Sequence, residues 1–198
     1  TEEDKTGFKE YVGIISASGE GSFDDTTSTF IIEHDFSENT NVYFKVAEGF
    51  KAGGFNAESS NPFAASTPYA PETIESTELG LKGRYLDNRM MLNVAYFDNE
   101  HEDMQISYFN ADAAAASEVI NNSASISGLE IESMTMLNDS TVLTLNFSTL
   151  DSEFTGNKTA QDGFLLENIP YSPEKTLYAS LEKDFGAYRV RLDHTRVD

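Results

Sequence analysis

Polar and apolar residues alternate with a period of two along most of this chain. Val42, Phe44 and Val46 fall on one side of an extended segment, and Tyr43, Lys45 and Ala47 on the other. Leu79 and Leu81 oppose Glu78, Gly80, Lys82 and Arg84, and Leu129 and Ile131 oppose Glu130 and Glu132. The same holds for Leu143, Leu145 and Phe147, for Leu177, Ala179 and Leu181, and for Tyr188, Val190 and Leu192. Successive side chains of a strand point to opposite faces, so this pattern predicts strands with one apolar and one wet face. It places them near 27–36, 42–50, 74–86, 90–109, 119–137, 142–154, 176–185 and 188–197. Residues 1–10 read as the end of a further strand. The one helix-prone stretch is the alanine run 113–116, too short to stand alone.

The connections alternate in length. Residues 37–41, 87–89, 138–141 and 185–187 are short and carry Asn, Asp, Ser and Gly, which suit tight turns. Residues 51–73, 110–118 and 155–175 are long. An up-and-down antiparallel sheet gives this alternation when its two ends face different compartments, as in outer-membrane barrels. Two strands approach 20 residues against a usual length of about 5–6. In 90–109 the apolar half, Met90 to Phe97, abuts a short turn, and the wet stretch Asp98 to Asp103 projects away from it. That gradient is expected where only the turn-proximal half, about 9–11 residues, meets lipid.

Composition narrows the picture. With 13 Lys and Arg against 34 Asp and Glu, the net charge is -21, which argues against nucleic acid as a partner. There is no cysteine, so neither disulfides nor thiolate chemistry arises. No apolar run reaches the roughly 18–20 residues of a spanning helix. The hydrophobic share of 39% is low for a packed core, while 14 Phe and 9 Tyr are generous. The chain has neither an initiator Met nor a signal-peptide pattern, which reads as a processed chain or a piece of a longer one.

Candidate chemistry is sparse. Gly49, Gly53 and Gly54 lack the strand-to-helix context of a phosphate loop and read as a flexible exit from a strand. In Glu100-His101-Glu102-Asp103, His101 and Asp103 share one strand face and the glutamates the other, so a solvated acidic rim is favoured over a metal site. Asp24 and Asp25 read as a wet turn rather than a calcium loop. His34, His101 and His194 lie in separate strands without a nucleophile motif, so no catalytic set, metal or cofactor is assigned and the chain is not read as an enzyme. Phe55, Asn56, Asn61, Phe63 and Tyr69 on the long 51–73 connection are candidates for contact with an incoming ligand, with loop self-packing as the alternative. Other aromatics near strand ends suit interfacial girdles. Lys82, Arg84, Arg189 and Arg191 fall on polar faces, to be lumen-facing in a barrel or solvated in a soluble sheet.

The run Val42 to Asn56 resembles a hallmark segment of TonB-dependent outer-membrane receptors, and Pro71 to Lys82 resembles that family's P-E-T-V-E-S-Y-E-L-G-L-K strand. Leu86-Asp87-Asn88-Arg89 with Leu92 to Phe97, Asp103-Met104-Gln105-Ile106, Asn121 to Glu130, and Pro170 to Glu174 are similar to later elements in order and at compatible spacing. Thr77 stands where the family often has Tyr, and Asn122-Ser123 where Ala-Gly is usual. The resemblance implies an antiparallel up-and-down transmembrane β-barrel of roughly 22 strands closed by a plug. Of that barrel, 1–198 would be one partial domain, an open curved sheet of about eight strands whose convex face carries Leu79, Leu81, Leu129, Ile131, Leu143, Leu145, Leu177 and Leu181. Plug, TonB box and final strand would lie outside this sequence. Implied partners are outer-membrane lipid, an extracellular nutrient ligand such as a siderophore, cobalamin or carbohydrate, and the TonB complex through the plug. Two other readings remain at this point. One is a soluble acidic β-sandwich for binding or adhesion, with its apolar residues in a two-layer core. The other is a complete eight-stranded barrel, closed by pairing of strands 27–36 and 188–197.

Overall fold

A computed structural model describes residues 2–11, 15–57, 59, 62–110, 116–156 and 169–198. In chain order the elements are β1 (Glu2–Tyr11), β2 (Ile15–Asp24), β3 (Thr29–Ser37), β4 (Thr40–Lys51), β5 (Gly54–Phe55), α1 (Pro62–Ser66), β6 (Pro68–Tyr69), β7 (Glu72–Tyr85), β8 (Met90–Asn110), β9 (Ala116–Asn138), β10 (Thr141–Phe154), β11 (Lys175–Asp184) and β12 (Arg189–Val197). Eight strands form one antiparallel sheet in the order β12-β11-β10-β9-β8-β7-β4-β3. Each is hydrogen-bonded to the next of the eight along the chain, β4 to β7 across the insertion that separates them. The eight strands read from periodicity match these within the fraying expected of strand ends.

β3 and β12 are the two edges of the sheet and do not pair with each other, so these strands do not close into a small barrel. Nor is there, among the described residues, a second large sheet packed against the first: their other sheets are the pairs β1-β2 and β5-β6. The described hydrophobic core is small. It joins Ile106, Ala124, Phe154 and Ile169 with Met104, Ile120 and Ile126, all beyond the turn-proximal half of the sheet.

Two expectations need correction. Residues 15–24 form a strand that the periodicity did not reveal, because Ser16-Ala17-Ser18-Gly19-Glu20-Gly21-Ser22 has no apolar face. It pairs with β1 in strict register, Gly7 opposite Gly19. Of the alanine run, residues 113–115 lie outside the described residues and Ala116 begins β9; the helix among the described residues, α1, starts at Pro62, where a missing N–H costs nothing. Finally, alternation fails at His101–Met104. The register slips there, with Asp103 at φ 53°, so His101 and Asp103 do not simply share a face. Beyond the bulge, Met104, Ile106 and Tyr108 lie opposite Asn122, Ile120 and Glu118.

The short turns are built locally. In the β7–β8 turn Leu86, Asp87 and Asn88 all adopt left-handed backbone, at φ 55°, 55° and 64°, and Arg89 N–H donates to Leu86 O at 3.1 Å. Asn and Asp tolerate that region and leucine does not. Leu86 is exposed and packs little. Leu86→Gly is therefore expected to stabilise the protein by about 0.5–1 kcal/mol, the strain relieved less the added chain entropy. A urea unfolding midpoint that falls instead of rising would show the leucine to be held by a contact.

Candidate functional site

The register turns the alternating pattern into two surfaces. Residues directly opposite in antiparallel strands share a face, so paired positions can be followed across the sheet. One row runs Val42–Leu81–Val94–Ile131–Phe147–Leu177. The next runs Phe44–Leu79–Tyr96–Leu129. Towards the short turns, Leu143 pairs with Leu181 and Leu181 with Leu192. All eight residues expected on one apolar face lie on it. No second layer covers it among the described residues: Leu79 is 59% exposed, Leu181 43% and Leu192 71%. A contiguous apolar surface of this extent is unusual on a soluble monomer and needs a non-aqueous neighbour.

The band has a sharp upper edge. One row above Leu79, Thr77 pairs with Asp98; above that, Glu48, Glu75 and Glu100 lie directly opposite one another. The edge also climbs obliquely. Below the carboxylates, the last apolar residue is Val46 on β4, Tyr96 on β8, which lies one row lower, and Phe147 on β10, lower by another row. A level boundary crossing tilted strands produces this drift, and strands of membrane barrels tilt by about 35–45°.

The opposite face is polar. Lys82 and Arg84 lie on it, as do Arg189 and Arg191, which pair with Asp184 and Glu182 across β11 and β12. Lys82 Nζ sits 4.8 Å above the Tyr43 ring, and the Tyr43 hydroxyl bonds Glu78, which also meets Lys45 Nζ at 3.7 Å. Arg191 donates to Asp193 at 2.8 Å and to the Tyr178 hydroxyl at 2.7 Å. Arg189 reaches Glu182 and Asp184 at 3.3 Å each. These pairs are open to water, so each adds little stability. Tyr43 lies flat over Gly80, its cross-strand partner, where a Cβ would overlap the ring.

The long connections gather at the other end. There the candidate ligand contacts take different positions. The Phe55 ring rests on the glycines of the β1–β2 hairpin: a Cβ on Gly7 would lie 2.6 Å from it and one on Gly19 2.5 Å. Gly19→Val should therefore lift the hairpin off the insertion, which limited proteolysis between β1 and β2 would register as faster cleavage. Asn56 donates to Val119 O at 3.0 Å and accepts from Val119 N–H at 2.6 Å. Tyr69 packs its hydroxyl against Gly54, its partner in the β5–β6 pair. Phe63, on α1, is 73% exposed. Asn61 lies outside the described residues.

Other residues at this end escaped the sequence reading. Asn121 donates to Ala70 O and Asp103 O and accepts from Ala70 N–H. Gln105 Nε2 reaches Ala52 O at 3.0 Å and Ala70 O at 3.2 Å. Buried Glu118 accepts from the Ser59 and Tyr108 hydroxyls. Glu72 contacts His101 at 3.2 Å and accepts from Gln105 N–H at 3.0 Å. Fully exposed Tyr171 holds φ 61°. Amide-rich β-strand sequence was the available signal for the first group; no local signal marks which backbone each amide meets. Among the described residues, no three His, Asp or Glu side chains converge as a metal site.

The chain matches the family model described as TonB-dependent receptor-like, β-barrel, over residues 3–196. Its fold is similar to that of the ferric yersiniabactin uptake receptor FyuA from Yersinia pestis, with TM-score 0.71 and 21% identity over 92% of this chain and 27% of that one. It is also similar to the siderophore receptor PiuA from Acinetobacter baumannii, with TM-score 0.72 and 19% identity over 96% of this chain and 28% of that one. The copper transporter OprC gives TM-score 0.68 and 12% identity over 92% and 27%. The chain thus spans little more than a quarter of the length of these proteins.

Proposed function

The chain belongs to the TonB-dependent receptor family, matching its β-barrel, and from that premise we propose that it forms part of the wall of an active-transport receptor in a bacterial outer membrane. The observation that carries the reading is the uncovered apolar band, bounded above by an oblique line of carboxylates. Lipid is the solvent that accepts such a band, and a membrane-spanning sheet must leave no unpaired edge within it. The free edges of β3 and β12 therefore call for further strands, and residues 1–198 are one part of a larger barrel domain.

In this reading Lys82, Arg84, Arg189 and Arg191 face the lumen, where a plug would meet them and would itself engage the TonB complex. The long-connection end faces outward, and Phe63 with its neighbours on 51–73 contributes to capture of a nutrient. FyuA and PiuA, by their names, take up or receive siderophores, and OprC transports copper. Siderophore chelates are the first substrate class to test for this chain, followed by cobalamin, carbohydrate and copper.

The test is uptake by cells lacking their own receptors but expressing the complete protein. Labelled ferric siderophores, cobalamin, oligosaccharide and copper would be supplied in strains with and without TonB. Accumulation of one class that disappears without TonB supports the proposal. Phe63→Ala is expected to raise the concentration for half-maximal uptake several-fold, as loss of one exposed aromatic contact would. TonB-independent leakage of all small solutes would identify an open pore instead.

A further inference from the structure

We propose that the described residues of the 51–71 insertion and the outer ends of β8 and β9 form one block, locked by two reciprocal side-chain amides, so that these parts of the long-connection end move as a unit. The inference rests on reading that end as the ligand-facing one. Asn56, from the insertion, binds both the N–H and the C=O of Val119 on β9, at 2.6 and 3.0 Å. Asn121, on β9, binds both the N–H and the C=O of Ala70 in the insertion, at 2.8 and 3.0 Å. Each amide takes the place of a neighbouring strand's peptide group, donor to acceptor and acceptor to donor. Inverting either amide would set oxygen against oxygen and N–H against N–H, so the backbone decides its orientation.

The location explains the need. Among the described residues β10 pairs with β9 as far as Ala124, opposite Phe154, and Thr155 and Gly156 N–H reach Ser123 O. Beyond it, Val119 presents backbone groups that have lost that partner strand, and an unpaired backbone group away from water is costly. Asn56 fills the gap. Further contacts tighten the same seam: Gln105 Nε2 to Ala52 O and Ala70 O, Ser59 to Glu118, and Tyr108 to the other oxygen of Glu118. The insertion is thus pinned at 52, 56, 59 and 70, on both sides of exposed Phe63. Asn56 and Asn121 act as positioning residues. They present Phe63 from a pre-organised strap, which lowers the ordering cost of binding.

Amide hydrogen exchange of the complete protein in detergent tests the lock without any ligand, so its outcome is separate from that of the uptake assay. Asn121→Leu is expected to speed exchange at Ala70, which it touches, and also at Val119, which it does not. Asn56→Leu should do the converse, each by about tenfold, the factor carried by loss of two neutral hydrogen bonds. Asn121→Asp keeps the acceptor for Ala70 N–H and loses both donors, and should fall between. Residues 1–198 carry no cysteine, so with any cysteine elsewhere in the complete protein replaced, Phe63→Cys takes a single nitroxide, expected to be immobile in the parent and mobile in the leucine variants. Leu145 and Phe147 amides serve as the folding control, and a leucine variant that loses them leaves the decision to Asn121→Asp. Release confined to each variant's own partner, or a nitroxide already mobile in the parent, would overturn the proposal.

Discussion

Ile131→Arg is expected to destabilise the lipid-embedded protein by about 2–4 kcal/mol, the cost of a cation on the lipid side of a barrel strand near mid-membrane. Ile131 lies at the centre of the apolar band, between Val94 and Phe147, with Leu129 a row above and Leu145 towards the turn. Moving the same substitution one residue, to Glu130→Arg, reverses its face. Glu130 lies between Ala95 and Ser148 on the polar side, so the effect there is expected within about 0.5 kcal/mol, the range of ordinary surface changes. Urea unfolding of the complete protein in lipid vesicles measures both. Equal losses at 130 and 131 would mean that the two faces see the same surroundings, and the membrane reading would fall with that result.

Gly80→Val is expected to cost about 1–3 kcal/mol, the usual cost of forcing extra atoms into an occupied site. The occupant is Tyr43, folded across the glycine, with Lys82 above its ring and Glu78 on its hydroxyl. A side chain at 80 lifts the ring and breaks both contacts together. Tyr43→Ala in the same background should remove the clash, so the double variant should be more stable than the sum of the single losses predicts. That non-additivity, read from a double-mutant cycle of unfolding free energies, separates a steric clash from a general weakening of β7. Strict additivity would show that ring and glycine act independently.

How far the fold was legible depended on what each segment buries. The eight strands of the large sheet were readable because an apolar and an aqueous surrounding select opposite residue types at alternate positions, and period two survives translation into any register. β2 was not readable: its Gly19 and Gly21 serve a close approach to Phe55 and Phe23, and a close approach leaves no hydrophobic pattern. The bulge at His101–Met104 was equally hidden, since one extra residue inverts the faces beyond it without altering the local composition.

The candidate site divides in the same way. The aromatic and amide residues of 51–73 drew notice for their chemistry, but chemistry alone did not distinguish Phe55, resting on a hairpin, from Phe63, open to solvent. Residues far apart in the chain decide where the first of them rests: Gly7 and Gly19 make room for its ring.

By itself the sequence determined that the chain is built of two-faced strands, which faces are apolar, and at which end the connections are long, because these follow from periodicity and turn chemistry within a few residues. Only the tertiary structure decided that the sheet stays open between β3 and β12, that the upper edge of the apolar band runs obliquely, and that Asn56 and Asn121 clasp the backbones of Val119 and Ala70. Those outcomes depend on register between strands and on contacts more than fifty residues apart, and a local pattern carries no information about the partner it will meet.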